Sequence, residues 1–324
     1  CFSLGGFTTE QKAGFDVNLN FNADLGVGKP VPGSSRFSLS ENLCDKLGFE
    51  IAYGNASLSY SFELGSKSAF KKSSFDFNIQ GREWGVGLEY FKITNPFITT
   101  LTLGEEGDTY YHNDTILSEE GAYLRSLYID GYYVFNNKRF AYPAAYKIGM
   151  VQRHTAGSWL VTARYLQGEL INDPHISGST YALLDGYSVL QASVGGGYSA
   201  NFVLWHKDPT GPRDQGLRNI TLNLTAMPVI TFANYLKTVY HQSGETHVSK
   251  IWCYPMPNFI GNAAASITLG RFYFTAQFHY NWFYFRSDVA LKSSQIDFPD
   301  YVDDFKINGS FHDWLLKGMV VYRF

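Results

Sequence analysis

Hydrophobic and polar side chains alternate along most of this chain, most clearly in Phe272 to Phe285, FYFTAQFHYNWFYF. Phe272, Phe274, Ala276, Phe278, Tyr280, Trp282 and Tyr284 form one set, and Thr275, Gln277, His279 and Asn281 form the middle of the other. Successive side chains of a strand point to opposite faces, so this segment reads as a strand with one oily and one wet face. It exceeds the ~5–6 residues usual for a globular strand and suffices for the roughly 9–11 that cross a bilayer. Its aromatic residues crowd the ends, where a membrane strand meets the headgroups. The expected lipid-facing aromatic residues are therefore Phe272, Phe274, Phe278, Tyr280, Trp282 and Tyr284, with Trp314, Tyr322 and Phe324 of the last alternating stretch.

The same period recurs from the start of the chain. Phe15 to Leu25 opposes apolar residues to Asp16, Asn18, Asn20, Asn22 and Asp24. Asp and Asn are poor strand formers, so their regular spacing points to a hydrated lumen. Leu47 to Tyr53 and Ala56 to Leu64 flank the Gly54-Asn55 turn as a hairpin. Phe75 to Gln80 and Trp84 to Tyr90 flank the Gly81-Arg82 turn. Alternation continues in Ser126 to Phe135, Tyr146 to Met150, Ser158 to Tyr165, Ser188 to Trp205, Asn219 to Ala226, Ala265 to Leu269 and Trp314 to Phe324. Pro228 is expected to end or bulge its strand, and residues 229–262 to hold one further strand at most. Segments 26–46, 95–123, 168–186 and 286–312 read as loops. The count comes to about thirteen, whereas single-chain bacterial barrels have an even number. The expectation is one all-β domain over residues 1–324, an antiparallel transmembrane β-barrel of ~14 strands, with 12 as the alternative. Residues 1–13 are assigned to an N-terminal lead-in.

Composition agrees with the pattern and removes some classes. Charged residues are 17% of the 324, below the ~25% of ordinary soluble domains. Aromatic residues are also 17%, chiefly 26 Phe and 23 Tyr. A net charge of -3 offers no basic field for nucleic acid. No apolar run reaches the ~18–20 residues of a spanning helix, and a closed barrel is the other structure that satisfies every backbone group in lipid. Three cysteines, Cys1, Cys44 and Cys253, are too few for a disulfide framework. Cys44 and Cys253 read as unpaired, with one bridge as the alternative. Cys1 reads either as a lipidated residue or as the place where the chain begins.

Two stretches resemble known proteins. The alternating strand that ends on Phe324 looks like the C-terminal signal read by the barrel-assembly machinery of bacterial outer membranes. Residues 132–167, YYVFNNKRFAYPAAYKIGMVQRHTAGSWLVTARYLQ, carry YVFN, a short basic turn, AAY, then Gln152 and AGS. This order, with GGGYSANFVLW at Gly195 to Trp205 and the paired strands from Leu47 to Leu64, resembles the Bacteroidota outer-membrane domain-of-unknown-function family 4421. The resemblance implies an exported outer-membrane barrel and no catalytic residues.

The inward-facing charges expected to line the lumen are Asp16, Asp24, Glu50, Glu63, Asp76, Glu89 and Asp130 from the first half, then Lys147, Arg153, Arg164 and His279. Paired charges that brace the lumen are the first reading, because lone buried charges are costly. A transverse field that orients a solute is the second. His154 with Ser158, and Ser243, Glu245, His241 and His247 in HQSGETH, carry the residue types of nucleophile–base or metal sets but read as polar loops. No catalytic residue, metal or cofactor is assigned. The glycine-rich stretches precede no helix, so none is a phosphate loop. The expected role is a non-catalytic subunit of a larger outer-membrane complex for assembly, transport or secretion. Its partners would be outer-membrane lipids and other outer-membrane or periplasmic proteins, plus the barrel-assembly machinery during biogenesis. A narrow channel for small solutes is the alternative, and a barrel enzyme the second alternative. The long loops at 95–123 and 286–312 are the expected partner-binding segments.

Overall fold

The computed structural model describes residues 2–23, 31–40, 44–63, 71–94, 98–105, 108–116, 122–147, 149–172, 186–209, 216–242, 245–291 and 302–324. In chain order its strands are β1 (Phe2–Ala23), β2 (Val31–Ser40), β3 (Cys44–Tyr53), β4 (Ala56–Glu63), β5 (Lys71–Gln80), β6 (Trp84–Thr94), β7 (Ile98–Glu105) and β8 (Asp108–Ile116). They continue with β9 (Ala122–Val134), β10 (Ala156–Asn172), β11 (Gly186–Lys207), β12 (Arg218–Gln242), β13 (Glu245–Trp252), β14 (Met256–Leu269), β15 (Phe272–Leu291) and β16 (Val302–Arg323).

Twelve strands close a ring: β1, β3, β4, β5, β6, β9, β10, β11, β12, β14, β15 and β16, with β16 pairing back onto β1. Every pairing is antiparallel, so consecutive neighbours need only short turns. Two of those turns rest on Gly54 and Gly270, whose φ of 59° and 62° is the left-handed backbone glycine adopts without strain. These two turns, Phe2 and Phe324 lie at one end of the barrel, which we call the terminus end. At the opposite end the sheet runs on past the ring. There β1 leaves β3 and pairs with β2, β2 pairs with β7 and β7 with β8, while β13 folds back on β12.

The ring contains the twelve strands of the lower expectation, and the reason lies in one stretch. Tyr146 to Met150 alternates like a strand but is not one. It follows a 3-10 helix at Tyr142–Ala145 inside the barrel. Other expectations also change. Residues 2–13 are no lead-in: they form the first half of β1 and pair with both β3 and β16. Loop-like composition at 26–46 and 95–123 conceals β2, β7 and β8. Pro228 does not end its strand. The β12–β14 ladder runs through it, while the β11–β12 ladder is interrupted opposite Gly196 and Gly197. This accommodates a residue without an N–H. β12 then continues to Gln242, so residues 229–262 hold the rest of β12, all of β13 and the start of β14, more than the one further strand expected.

The side chains are sorted inside out relative to a protein in water. On β4, Ser57, Ser59 and Ser61 are buried, while Leu58 is 44% and Phe62 41% exposed. On β12, Thr221, Asn223 and Thr225 are buried, while Leu224 is 49% exposed. Of the expected lipid-facing set, Phe272, Phe274, Phe278, Trp282 and Phe324 are exposed on the outer face, and Tyr280, Tyr284, Trp314 and Tyr322 are half-exposed. A polar lumen within an apolar band is how a barrel satisfies its backbone while presenting hydrocarbon to lipid.

One apolar cluster does lie inside, at the terminus end: Phe7, Tyr273, Met319 and Val321. The Phe7 ring lies over Gly48 of β3, where a methyl group would stand 2.1 Å from the ring carbon Cζ. Gly48→Ala is expected to destabilise the barrel by about 1–3 kcal/mol through overpacking. Urea unfolding in lipid vesicles measures this, and adding Phe7→Leu should recover most of the loss. An unchanged midpoint for the single variant would show that the ring shifts freely.

Cys253 is a free, buried thiol, so it forms no bridge with Cys44. Burial pushes it up to about 11, which leaves little reactive thiolate at neutral pH.

Candidate functional site

The connection between β9 and β10, residues 135–155, folds into the lumen from the terminus end. Its two limbs are held together by Gln152. The Ala141 N–H donates to Gln152 Oε1 (2.8 Å), and Gln152 Nε2 donates to the carbonyls of Arg139 (2.7 Å) and His154 (2.8 Å). Asn136 closes the base. Its N–H donates to Ser158 Oγ (2.9 Å) and its amide to the Gly157 carbonyl (3.2 Å).

Four strands of the wall bind the segment. Asn201 of β11 donates to the Ala141 carbonyl (2.7 Å), and the Tyr146 hydroxyl donates to Asn223 of β12 (2.6 Å). Asn262 of β14 donates to the Tyr142 hydroxyl (3.1 Å). On β15, Thr275 and Gln277 donate to the carbonyls of Ala145 and Tyr146, each at 3.0 Å. Val134, Phe140, Ala141, Ala144, Ala145 and Leu160 are buried around it. The polar wall thus does for this stretch what a sheet ladder would otherwise do: it supplies partners to backbone groups removed from water. The segment is a fixed plug bonded to the barrel, not a loop lying loosely in it.

A second obstruction lies deeper. Arg164 of β10 reaches Asn281 of β15, with Nη1 2.8 Å from Oδ1. These strands are separated in the ring by β11, β12 and β14, so the contact crosses the lumen. The guanidinium lies 5.7 Å from the ring centroid of Tyr128 and 5.6 Å from that of Phe283, within reach of a cation–π attraction. Phe91 stacks on Tyr128 at 5.9 Å.

Plug and crossing side chains leave a cavity of about 250 Å³ between them, against β1, β3 to β6, β9, β10, β12 and β14 to β16. Of the expected lumen charges, Glu50, Asp76, Glu89, Asp130, Lys147, Arg164 and His279 line it. Glu63 is half-buried and outside its lining. The side chain of Asp16, and Asp24, lie outside the described residues. Arg153 is corrected: its side chain is exposed at the terminus-end rim, 3.5 Å from Asp208. The false strand assignment around Tyr146 placed Arg153 on the wall, when it belongs to the returning limb of the plug.

Three further charges line the cavity: Lys46, Asp313 and Lys317. Lys317 and Asp313 follow from the outward parity already assigned to Trp314 and Leu316. Lys46 was hidden in a segment read as loop. Lys317 Nζ lies 3.6 Å from Glu50 Oε2 and 4.1 Å from the centroid of the Phe7 ring. Ser59 donates to Asp76 (2.9 Å), which stands opposite Glu89 in the β5–β6 register. Ser61 and Ser74 share a hydrogen bond of 2.7 Å. Lys147 enters on the plug, outside the spanning strands. Burial pushes it down to about 8, opposed by the charge of Glu50.

Among the described residues, His154 and Ser158 do not form a nucleophile–base pair. Ser158 Oγ accepts from Asn136 and donates to the Trp159 carbonyl, while His154 is exposed on the rim. His241, Glu245 and His247 belong to the β12–β13 hairpin, where backbone pairing sets His241 opposite Thr246 and Tyr240 opposite His247. Their side chains, and Ser243, lie outside the described residues.

The sequence family described as Domain of unknown function (DUF4421) matches residues 17–209, more than half of the chain. The chain belongs to the DUF4421 family. The DUF4421 match runs from β1 through β11 and includes the whole plug. The short motifs that carried the resemblance are the plug's fastenings: Asn136 at its base, Ala144-Ala145-Tyr146 at its tip, Gln152 between its limbs, and Ser158 beneath Asn136. Among solved structures, the outer membrane protease OmpT from Escherichia coli aligns with 99% of this chain and 97% of its own, at 6% identity and a TM-score of 0.43. A Pseudomonas aeruginosa FadL homologue aligns with 99% and 90%, at 8% identity and a TM-score of 0.24. No curated protein sequence matches the chain.

Proposed function

We propose that this DUF4421 protein is a closed, non-catalytic barrel of the bacterial outer membrane that works as a subunit of a larger envelope assembly. The observation that carries the reading is the plug. Its hydrogen bonds to β11, β12, β14 and β15 make the closed lumen part of the fold, which disfavours an open pore. The apolar exterior supports the membrane location. Support for partners comes from the end opposite the plug. There, among the described residues, β8 pairs only with β7 and β13 only with β12, so each leaves a strand edge able to accept another chain by backbone pairing. The β8 edge belongs to the segment 95–123, which sequence composition marks as a loop.

The test is extraction from native membranes in a mild detergent, followed by size-exclusion chromatography and mass spectrometry. The protein should elute with other envelope proteins in fixed ratio. Elution as a lone chain in several mild detergents would overturn the subunit role while leaving the closed barrel intact.

A further inference from the structure

The cavity holds polar groups that have no hydrogen-bond partner among the described residues. Lys147 is 3% exposed, and its ammonium has no hydrogen-bond partner among the described residues. Thr9 is buried, and its hydroxyl likewise has none. Arg164 satisfies Asn281 through Nη1 but leaves Nε without a partner. All three line the cavity. Lys and Arg only donate hydrogen bonds, and the Thr hydroxyl is able to donate. A buried donor left without an acceptor costs about 1–3 kcal/mol, more when charged, so this set calls for an acceptor.

Strand register brings these donors together. Thr9 of β1 stands between Lys46 of β3 and Lys317 of β16, directly opposite each. Lys317 in turn stands opposite Gln277 of β15, and Gln277 holds the carbonyl of Tyr146. The next residue of the plug is Lys147. Two wall strands and the plug therefore deliver Lys317, Thr9 and Lys147 to one region of the cavity. Glu50 lies 3.6 Å from Lys317 and offsets one of the two ammonium charges contributed by Lys147 and Lys317; Asp76, Glu89, Asp130 and Asp313 also line the cavity, with Lys46 and Arg164 as its other cations. The hydroxyls of Ser57, Ser59 and Ser61 continue the lining along β4.

We propose that the lumen cavity binds a small solute bearing an oxyanion, held by Lys147, Lys317 and the hydroxyl of Thr9. The shared chemistry is a compact, multiply accepting anion: a sulfate, a phosphate or a carboxylate group. At about 250 Å³ the space lies just below the ~300–1,000 Å³ of most ligand pockets, which matches a small solute. This site does not depend on the subunit role above, because a free barrel would carry it unchanged.

The test is equilibrium dialysis of radiolabelled sulfate, inorganic phosphate and acetate against the full chain in detergent micelles at low salt. At least one anion should bind saturably at one site per barrel. Lys147→Gln should weaken it tenfold or more, as expected for loss of a charge-assisted bond. Lys147→Arg should stay within a few-fold of wild type, and Thr9→Val should weaken binding a few-fold. Lys207→Gln, on an exposed lysine at the terminus end, should leave binding unchanged. Heat-modifiable electrophoretic mobility establishes that each variant is folded. Absence of saturable binding for all three anions overturns the proposal. So does an equal loss in the Lys207 variant, which would mean diffuse surface attraction.

Discussion

Replacing residues 137–153 by a short glycine–serine turn should convert a barrel that is silent in planar bilayers into one that shows discrete current steps. Barrels of 8 strands have interiors just filled by side chains, and those of 16–18 hold aqueous channels, so a ring of twelve falls between. In such a ring an inserted segment decides whether ions pass. The plug occupies the terminus end, and its removal exposes the Ser, Thr and Asn residues of β11, β12 and β14, a surface that water wets readily. The Arg164–Asn281 contact remains as a constriction. Conductance should therefore rise in two stages: small steps for the deletion, and larger ones when Arg164→Ala is added. Arg164→Ala alone should stay silent. Wild-type protein that conducts as well as the deletion variant would remove the closed-barrel reading.

The second large effect concerns neighbouring residues with opposite surroundings. Asn223→Leu should destabilise the barrel by about 3–5 kcal/mol. Asn223 is fully buried and acts as a four-way junction. It donates to Asn201 (2.7 Å) and Ser199 (3.0 Å), and accepts from the Tyr146 hydroxyl (2.6 Å) and Thr225 (2.9 Å). A leucine would leave several buried groups without partners at about 1–3 kcal/mol each, moderated by rearrangement. Leu224→Asn, one residue on and facing outward, should cost about 2 kcal/mol by placing an amide in hydrocarbon. A water-soluble domain would reverse both expectations, since an inward leucine is welcome there and an outward asparagine is harmless. Urea unfolding in vesicles, followed by tryptophan fluorescence, gives both values. An Asn223→Leu change under about 1 kcal/mol would show that the lumen network carries little stability.

How far the architecture was readable depended on what faces what. Wherever a strand separates lipid from a wet lumen, as at Phe272 to Phe285, period-two alternation is imposed on every residue and survives in the sequence. Where a segment meets neither lipid nor an even lumen, the code fails. Tyr146, Lys147 and Gly149 mimic a strand by chance of surroundings: Tyr146 bonds to the wall, Lys147 enters the cavity and Gly149 is exposed. Outward parity at Trp314 and Leu316 already implied that Asp313 and Lys317 face inward, so that part of the cavity was open to reasoning. Lys46 was not, because the preceding Pro and Gly residues disguise β2 and the start of β3. Strand edges beyond the ring were equally hidden: β7 and β8 lie in a stretch whose Gly, Asp, Glu and Thr content reads as a loop. The bringing together of Thr9, Lys147 and Lys317 depends on a register spanning the whole chain, which local patterns do not encode.

The wall residues that hold the plug, from Asn201 to Gln277, all come later in the chain than the plug itself. The seam that completes the cylinder instead joins the first and last strands, Ser3 to Arg323. Contacts so distant in sequence form slowly, whereas β9 to β15 form a continuous stretch of mostly local pairings. A growing, still open half-cylinder therefore carries everything needed to seat its own stopper. None of the plug's fastenings waits on the seam, so the stopper can be seated before the cylinder closes.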